Sequence, residues 1–381
     1  MHFHKLESSA IKLGRRIAAA LFIVTLLMAP GVNFHPTAQA EIPTAGPRIY
    51  LPILSSNHSQ ANSIMLGVYT PGYLGDKQVI QNELKALDNW SGKHISISGT
   101  FVGIQDPNPA YNVPVPLQNL WDAGYTAFIN LMTQGTATQI GNGGEDQHIR
   151  NIASAYSGWV KQGRLLGQTR MAFIAPLPEA NITTGNSYGG NPSTFKSAYW
   201  RIRDIFNQEL SKLGLPASSV AWVFAPNGQD EPGKPSFENF YPGDQTVDIV
   251  GFSSYNWGYC YGWKYDSWDM GDKLFKPYVE RMQVMAPGKP IFISQTASSS
   301  SFPSHGAYSH AKKDSWLKDT YAYLAGLAGV RAIIYFNIDK ECDWAFYKSG
   351  SVAYSGYVSV IQQPDFVYIG PGDIALEFPV H

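Results

Sequence analysis

Residues 290–298 read Pro-Ile-Phe-Ile-Ser-Gln-Thr-Ala-Ser. Three bulky apolar residues behind a proline have the length and composition of a strand buried on both faces. The run turns polar at Ser294-Gln295-Thr296. That change predicts a strand over 290–294 whose carboxyl end carries polar side chains. In a barrel of parallel strands, that end is where chemistry sits.

Seven more runs share this character, at 64–69, 94–101, 126–132, 171–176, 220–225, 247–253 and 331–337. Amphipathic stretches at 77–89, 147–162, 194–213, 270–285 and 312–327 separate them. Within 194–213, Phe195, Ala198, Ile202, Ile205 and Phe206 recur at steps of three and four, which marks one buried helix face. Eight strands alternating with helices predict an α/β fold, a closed (β/α)8 TIM barrel over 64–355. A doubly wound open sheet would need a glycine-rich phosphate turn after its first strand, and 67–75 lacks the GxGxxG spacing. The tail, 356–381, reads as irregular chain or short strands.

The amino terminus reads as a signal peptide over 1–40. Lys12, Arg15 and Arg16 precede an apolar run at 17–28, and Ala38-Gln39-Ala40 offers a small-residue cleavage site. The run is too short to span a bilayer comfortably, and no later segment has the length of a membrane helix. A secreted protein is expected, with a Pro- and Ser-rich linker over 41–63 leading into the barrel. In an oxidising compartment, the two cysteines, Cys260 and Cys342, are expected to form a disulfide. Each follows a predicted barrel strand, so both should lie on loops of the same face.

Net charge is −1 and only 15% of residues are charged, which leaves no basic footprint for nucleic acid. Ten Trp and 22 Tyr provide many flat rings, suited to stacking on sugars as well as to filling a large core. No His stands at ligand spacing from either Cys, so no metal site is expected.

The candidate chemistry lies at the strand ends. The fourth strand leads into Leu177-Pro178-Glu179-Ala180-Asn181, where Glu179 suits a general acid and Asn181 a ligand for a sugar hydroxyl. The sixth leads into Ser254-Tyr255-Asn256-Trp257, placing Tyr255 where it can bond whatever ends strand seven. Trp257 and Trp263 are candidate sugar platforms. Further acids stand at Asp230, Glu231, Asp339, Glu341 and Asp343.

From 170 to 344 the chain resembles glycoside hydrolase family 26, whose best-known members are β-mannanases. The matching pieces include Glu179-x-Asn181, Tyr199-Trp200-Arg201-Ile202, and Ala221-Trp222-Val223-Phe224-Ala225-Pro226-Asn227. Tyr241-Pro242-Gly243-Asp244, the run 251–257, the run 290–298, and Asp343-Trp344 continue the series in the family's order. The resemblance implies a barrel with an acid/base Glu after strand four, at Glu179, and a nucleophile after strand seven. It also implies a Tyr contacting that nucleophile, at Tyr255.

Two residues depart from the pattern. Pro178 stands where the family often has His, and Gln295 occupies the nucleophile position. A retaining glycosidase needs two carboxyl groups about 5–5.5 Å apart, and an amide cannot attack the anomeric carbon. The expected function is therefore a glycosidase acting on β-linked polysaccharide such as mannan or β-glucan through Glu179. The alternative is a catalytically impaired glycan-binding pseudo-hydrolase, with Gln295 filling the site in shape only. Either is expected to be a monomer that needs no cofactor.

Overall fold

The computed structural model describes residues 63–184, 186–260, 267–302, 307–348 and 354–378. The leader, all but the last residue of the linker, and Trp263 lie outside them. Eight strands form the centre: β1 (Ile64–Tyr69), β2 (Ile97–Gly103), β3 (Thr126–Met132), β4 (Ala172–Pro176), β5 (Val220–Phe224), β6 (Ile249–Asn256), β7 (Ile291–Ser298) and β8 (Val330–Phe336). Each pairs in parallel with the next, and β8 returns to β1 from Met65↔Ala332 to Tyr69↔Phe336. The barrel is closed, and helices lie between successive strands.

Alternation along the strands makes two cores. Met65, Phe128, Phe173, Val223, Phe292 and Ile334 fill the interior. Leu66, Ile129, Ile174, Trp222 and Ile293 face outward against the helices. The helix Pro192–Lys212 shows why these segments settle there. The Asn191 side chain caps its first turn by accepting from the Ser193 and Thr194 amides, and Pro192 stands where an amide hydrogen is not needed. Its stripe of Phe195, Ala198, Ile202, Ile205 and Phe206 is buried as the periodicity predicts.

Several strand ends differ from the sequence reading, for physical reasons. β2 starts three residues later than expected. Ile95 gives its amide to the Asp88 carboxylate (3.1 Å), and the His94 ring also bonds that carboxylate, so this stretch turns instead of joining the ladder. β6 and β7 run beyond their predicted ends because their polar residues satisfy one another. Asn256 donates to the Ser298 hydroxyl (2.9 Å), and the Ser298 amide donates to the Tyr335 hydroxyl (3.1 Å). All eight residues of β7 are buried. β7 also carries one extra residue between Ile293 and Gln295 relative to β6, and the same bulge shows against β8. Such a bulge re-aims the side chains that follow it.

The tail does not stand apart from the barrel. Phe366–Val367 adds a short parallel strand beside β1, with Ile64↔Phe366 in register. Two short helices, Ser355–Val360 and Ile374–Glu377, flank it. Ile374 and Phe378 enter the inner core, where the Phe378 ring stands edge-on to Phe173 (5.7 Å) and Phe292 (5.5 Å).

Candidate active site

The loop leaving β4 presents Glu179 under constraint. Leu177 (φ 52°) and Glu179 (φ 58°) both adopt the left-handed backbone that residues with a Cβ disfavour. Neighbouring bonds hold them there. The Leu177 amide donates to the Leu131 carbonyl and the Glu179 amide to the Ala225 carbonyl, each at 2.8 Å. The Tyr188 hydroxyl donates to the Pro178 carbonyl (3.1 Å), and Asn186 donates to that of Glu179 (3.1 Å). Strain of about 1–3 kcal/mol per residue persists only where the surroundings over-determine it, and functional sites are the usual place.

The carboxylate of half-buried Glu179 is held at one oxygen. Oε1 accepts from Asn227 Nδ2 (3.1 Å) and from the Ser253 hydroxyl. Among the described residues nothing bonds Oε2, which leaves it free for a ligand. Ser253 pairs with Gln295 across the β6–β7 ladder, so the residue that holds Glu179 is also the neighbour of Gln295.

Gln295 is 8% exposed and held at both ends of its amide. Oε1 accepts from the Tyr255 hydroxyl (2.9 Å), and Nε2 donates to Asn130 Oδ1 (3.4 Å). Asn130 in turn donates to the Tyr69 hydroxyl (2.8 Å), which donates to the Ser294 carbonyl (3.0 Å). Burial drives the Tyr69 and Tyr255 phenols well above their ordinary range, and the negative charge of Glu179 adds to both shifts. Glu179, Gln295, Tyr69 and Tyr255 therefore form one electrostatic unit in the barrel mouth.

No family model matches the chain. Over 217 residues (55% of this chain) it is 28% identical to endoglucanase H of Acetivibrio thermocellus. The match spans only about a fifth (21%) of that relative's length. Among solved structures it resembles the glycoside hydrolase family 26 domain of a Prevotella bryantii endo-β-mannanase/endo-β-glucanase. That likeness has a TM-score of 0.53 and 14% identity, covering 80% of this chain and 90% of that one. It also resembles a modular endo-β-1,4-mannanase from Cellulomonas fimi, with a TM-score of 0.55, 12% identity, and coverage of 81% and 73%. The fold is the one these family 26 barrels share. At such identities the likeness is one of fold.

The remaining candidates divide. Trp257 is half-buried beside Tyr255 and stands edge-on to Trp344, ring centroids 4.9 Å apart. The Cys260–Cys342 disulfide joins the loops after β6 and β8, which carry these two rings. Asn181 departs from its expected role. It is 0% exposed, donates to the Asn227 carbonyl (2.9 Å) and Asp230 (3.1 Å), and accepts from the Asn227 amide (2.9 Å). Its amide thus fixes Asn227, the residue that holds Glu179.

Most of the further acids tie loops together. Glu231 accepts from the Thr183 amide (2.7 Å) and hydroxyl (2.6 Å). Asp343 accepts from the Ser300 amide (3.0 Å) and hydroxyl, and Asp339 from the Ala345 amide (2.9 Å) and Lys348. Glu341 accepts from Trp344 Nε1 (3.3 Å) and pairs with Lys340 (3.7 Å), and its charge adds to the upward shift of the Tyr255 phenol. Among the described residues no cluster of His, Cys, Asp or Glu is arranged to hold a metal ion, and no helix is long and apolar enough to cross a membrane.

Tyr69, Asn130, Asn227 and Ser253 were missed as site residues. Two of them left a signal. Asn130 is the one polar side chain in the run 127–132, and Tyr69 closes the first strand at its carboxyl end. Gly99 permits the arrangement, because a Cβ there would lie 2.3 Å from the Tyr69 ring.

Proposed function

We propose that the barrel mouth binds and cleaves β-linked polysaccharide, with Glu179 as the acid/base. One observation carries this reading. A glutamate on strained backbone is pinned through Oε1 and open at Oε2, and the Ser253 that holds it is the ladder partner of Gln295 in β7. The fold shared with family 26 barrels and the partial likeness to an endoglucanase support a glucan or mannan as substrate.

In this mechanism Glu179 gives its proton to the glycosidic oxygen as the bond breaks. Gln295 holds Tyr255 and Asn130 in place and cannot form a glycosyl ester. Water is then the attacking group, and inversion at the anomeric carbon requires a second carboxylate as base. Glu341 is the candidate, because it accepts from Trp344 Nε1 (3.3 Å), whose ring packs on Tyr255 (5.3 Å), while Glu231, Asp339 and Asp343 tie loops together. Neither a metal nor a cofactor is needed. We further propose export through the 1–40 leader and action as a monomer.

One observation favours a second reading, a glycan-binding protein. The Gln295 amide is satisfied at both ends, as befits a site kept for shape, and Trp257 stands as a platform beside its partner Tyr255 (6.2 Å).

Reducing-sugar release from mannan, mixed-linkage glucan and xylan separates the two. Hydrolysis is expected from the natural protein and is expected to fall by about 10³-fold or more in Glu179→Ala and Glu341→Gln. If only Gln295→Glu is active and the natural protein merely retains the glycan, the binding reading holds. No release and no retention by any variant excludes both.

A further inference from the structure

A slot opens from the same mouth between the end of β1, the second half of β2 and the helix Pro114–Ala123, with a volume of about 670 Å³. That lies within the range of small-molecule pockets. Tyr69 forms its inner wall and is therefore common to the slot and to the Gln295 network. Phe101, 44% exposed, forms the lip, with its ring centroid 5.3 Å from that of Tyr69. Deeper in, the walls are Val102, Leu117 and Ile129. Tyr73, Asn112 and Asp106 also line the slot, but they bond one another: the Tyr73 hydroxyl donates to Asn112 Oδ1 (3.1 Å), and Asn112 Nδ2 donates to Asp106 (3.0 Å).

These walls suit a bare polyol poorly. Sugar hydroxyls moved from water into such a slot would find few partners, and each unpaired group costs free energy. An apolar substituent gains by the same transfer. An acyl ester is one form in which a glycan hydroxyl carries such a substituent.

We propose that this slot is a specificity site for acyl esters carried by the glycan backbone. The inference rests on the glycan reading of the mouth. With a sugar held between Glu179 and Gln295, an acyl group on that sugar or its neighbour turns past Tyr69 and lies between Phe101 and Leu117. Substrate choice then depends on decoration as well as on the linkage of the chain.

Affinity electrophoresis tests this with acetylated glucomannan and feruloylated arabinoxylan, each before and after mild alkaline de-esterification. The natural protein is expected to hold at least one esterified glycan about fivefold more tightly than its de-esterified form. Which of the two shows the difference separates acetyl from aromatic acyl. Val102→Asp is expected to erase the preference while leaving retention of the de-esterified glycan unchanged. Phe101→Ala, at the exposed lip, is expected to reduce the preference and serves if the aspartate variant fails to fold. Equal or tighter retention of the de-esterified glycan by the natural protein overturns the slot inference and leaves the glycan reading standing. A preference that survives both variants also overturns it. Retention of neither form by the folded natural protein removes both.

Discussion

The site turns on a few residues whose roles follow from what they bond. Gln295 and Glu179 differ little in size, yet one is held at both ends of its amide and the other keeps an oxygen free. Glu179 and Tyr255 stand at the strand mouths where the sequence placed them. Asn181 was legible as important but not in its role, because a residue list cannot say which amide will be buried. Tyr69 is not legible as a site residue, because a terminal tyrosine on a barrel strand has the pattern of core packing. Its place depends on Gly99. Gly99→Ala would set a methyl group 2.3 Å from the Tyr69 ring. Overpacking of this kind costs about 1–3 kcal/mol. Chemical denaturation is expected to register that loss, and displacement of Tyr69 should weaken glycan retention in parallel. A variant as stable and as retentive as the natural protein would show that Tyr69 is dispensable.

At the scale of elements, the loop after β8 is the one most heavily fastened. Lys313, on the helix His310–Ala325, is 0% exposed and donates to the carbonyls of Asp343 (2.5 Å), Trp344 (3.0 Å) and Ala345 (3.0 Å). Trp344 packs against Tyr255 (5.3 Å) and Trp257 (4.9 Å), so the helix supports the aromatic side of the mouth through this lysine. Removing the ammonium in Lys313→Met is expected to free the loop, with hydrogen-exchange protection at Trp344 falling about tenfold or more. Burial, opposed by Asp343 and Asp339, lowers the Lys313 pKa to about 8 from an ordinary 10.5. Between those values the unfolded chain binds a proton that the folded chain has released, so this group makes stability rise with pH from about 8 to 10.5. The difference in melting temperature between the natural protein and Lys313→Met should follow that slope. A flat difference across the window would mean the ammonium is not buried. The sequence marked this helix by its amphipathic pattern, but nothing in that pattern distinguishes a lysine bound for solvent from one bound for three carbonyls.

At the scale of the whole molecule, the barrel is closed laterally by β8 against β1 and at its floor by the tail. Phe378 is 3% exposed between Phe173 and Phe292. Phe378→Ala should destabilise the barrel by about 3–5 kcal/mol in a denaturant titration. Activity or glycan retention measured well below the transition should remain, because the floor lies at the opposite end from Glu179. Parallel loss of both would mean that the tail also shapes the mouth. The sequence by itself determined the number and order of strands, the alternation with helices, and which strand ends bear Glu179, Tyr255 and Gln295. Those properties depend on local composition and periodicity, which each segment carries alone. Only the tertiary structure decided the β7 bulge, the burial of Asn181, the Tyr69–Asn130 network, the pinned lysine and the tail's place under the barrel. Each of these depends on contacts between residues far apart in the chain, where register and side-chain packing choose among partners that local sequence leaves equivalent.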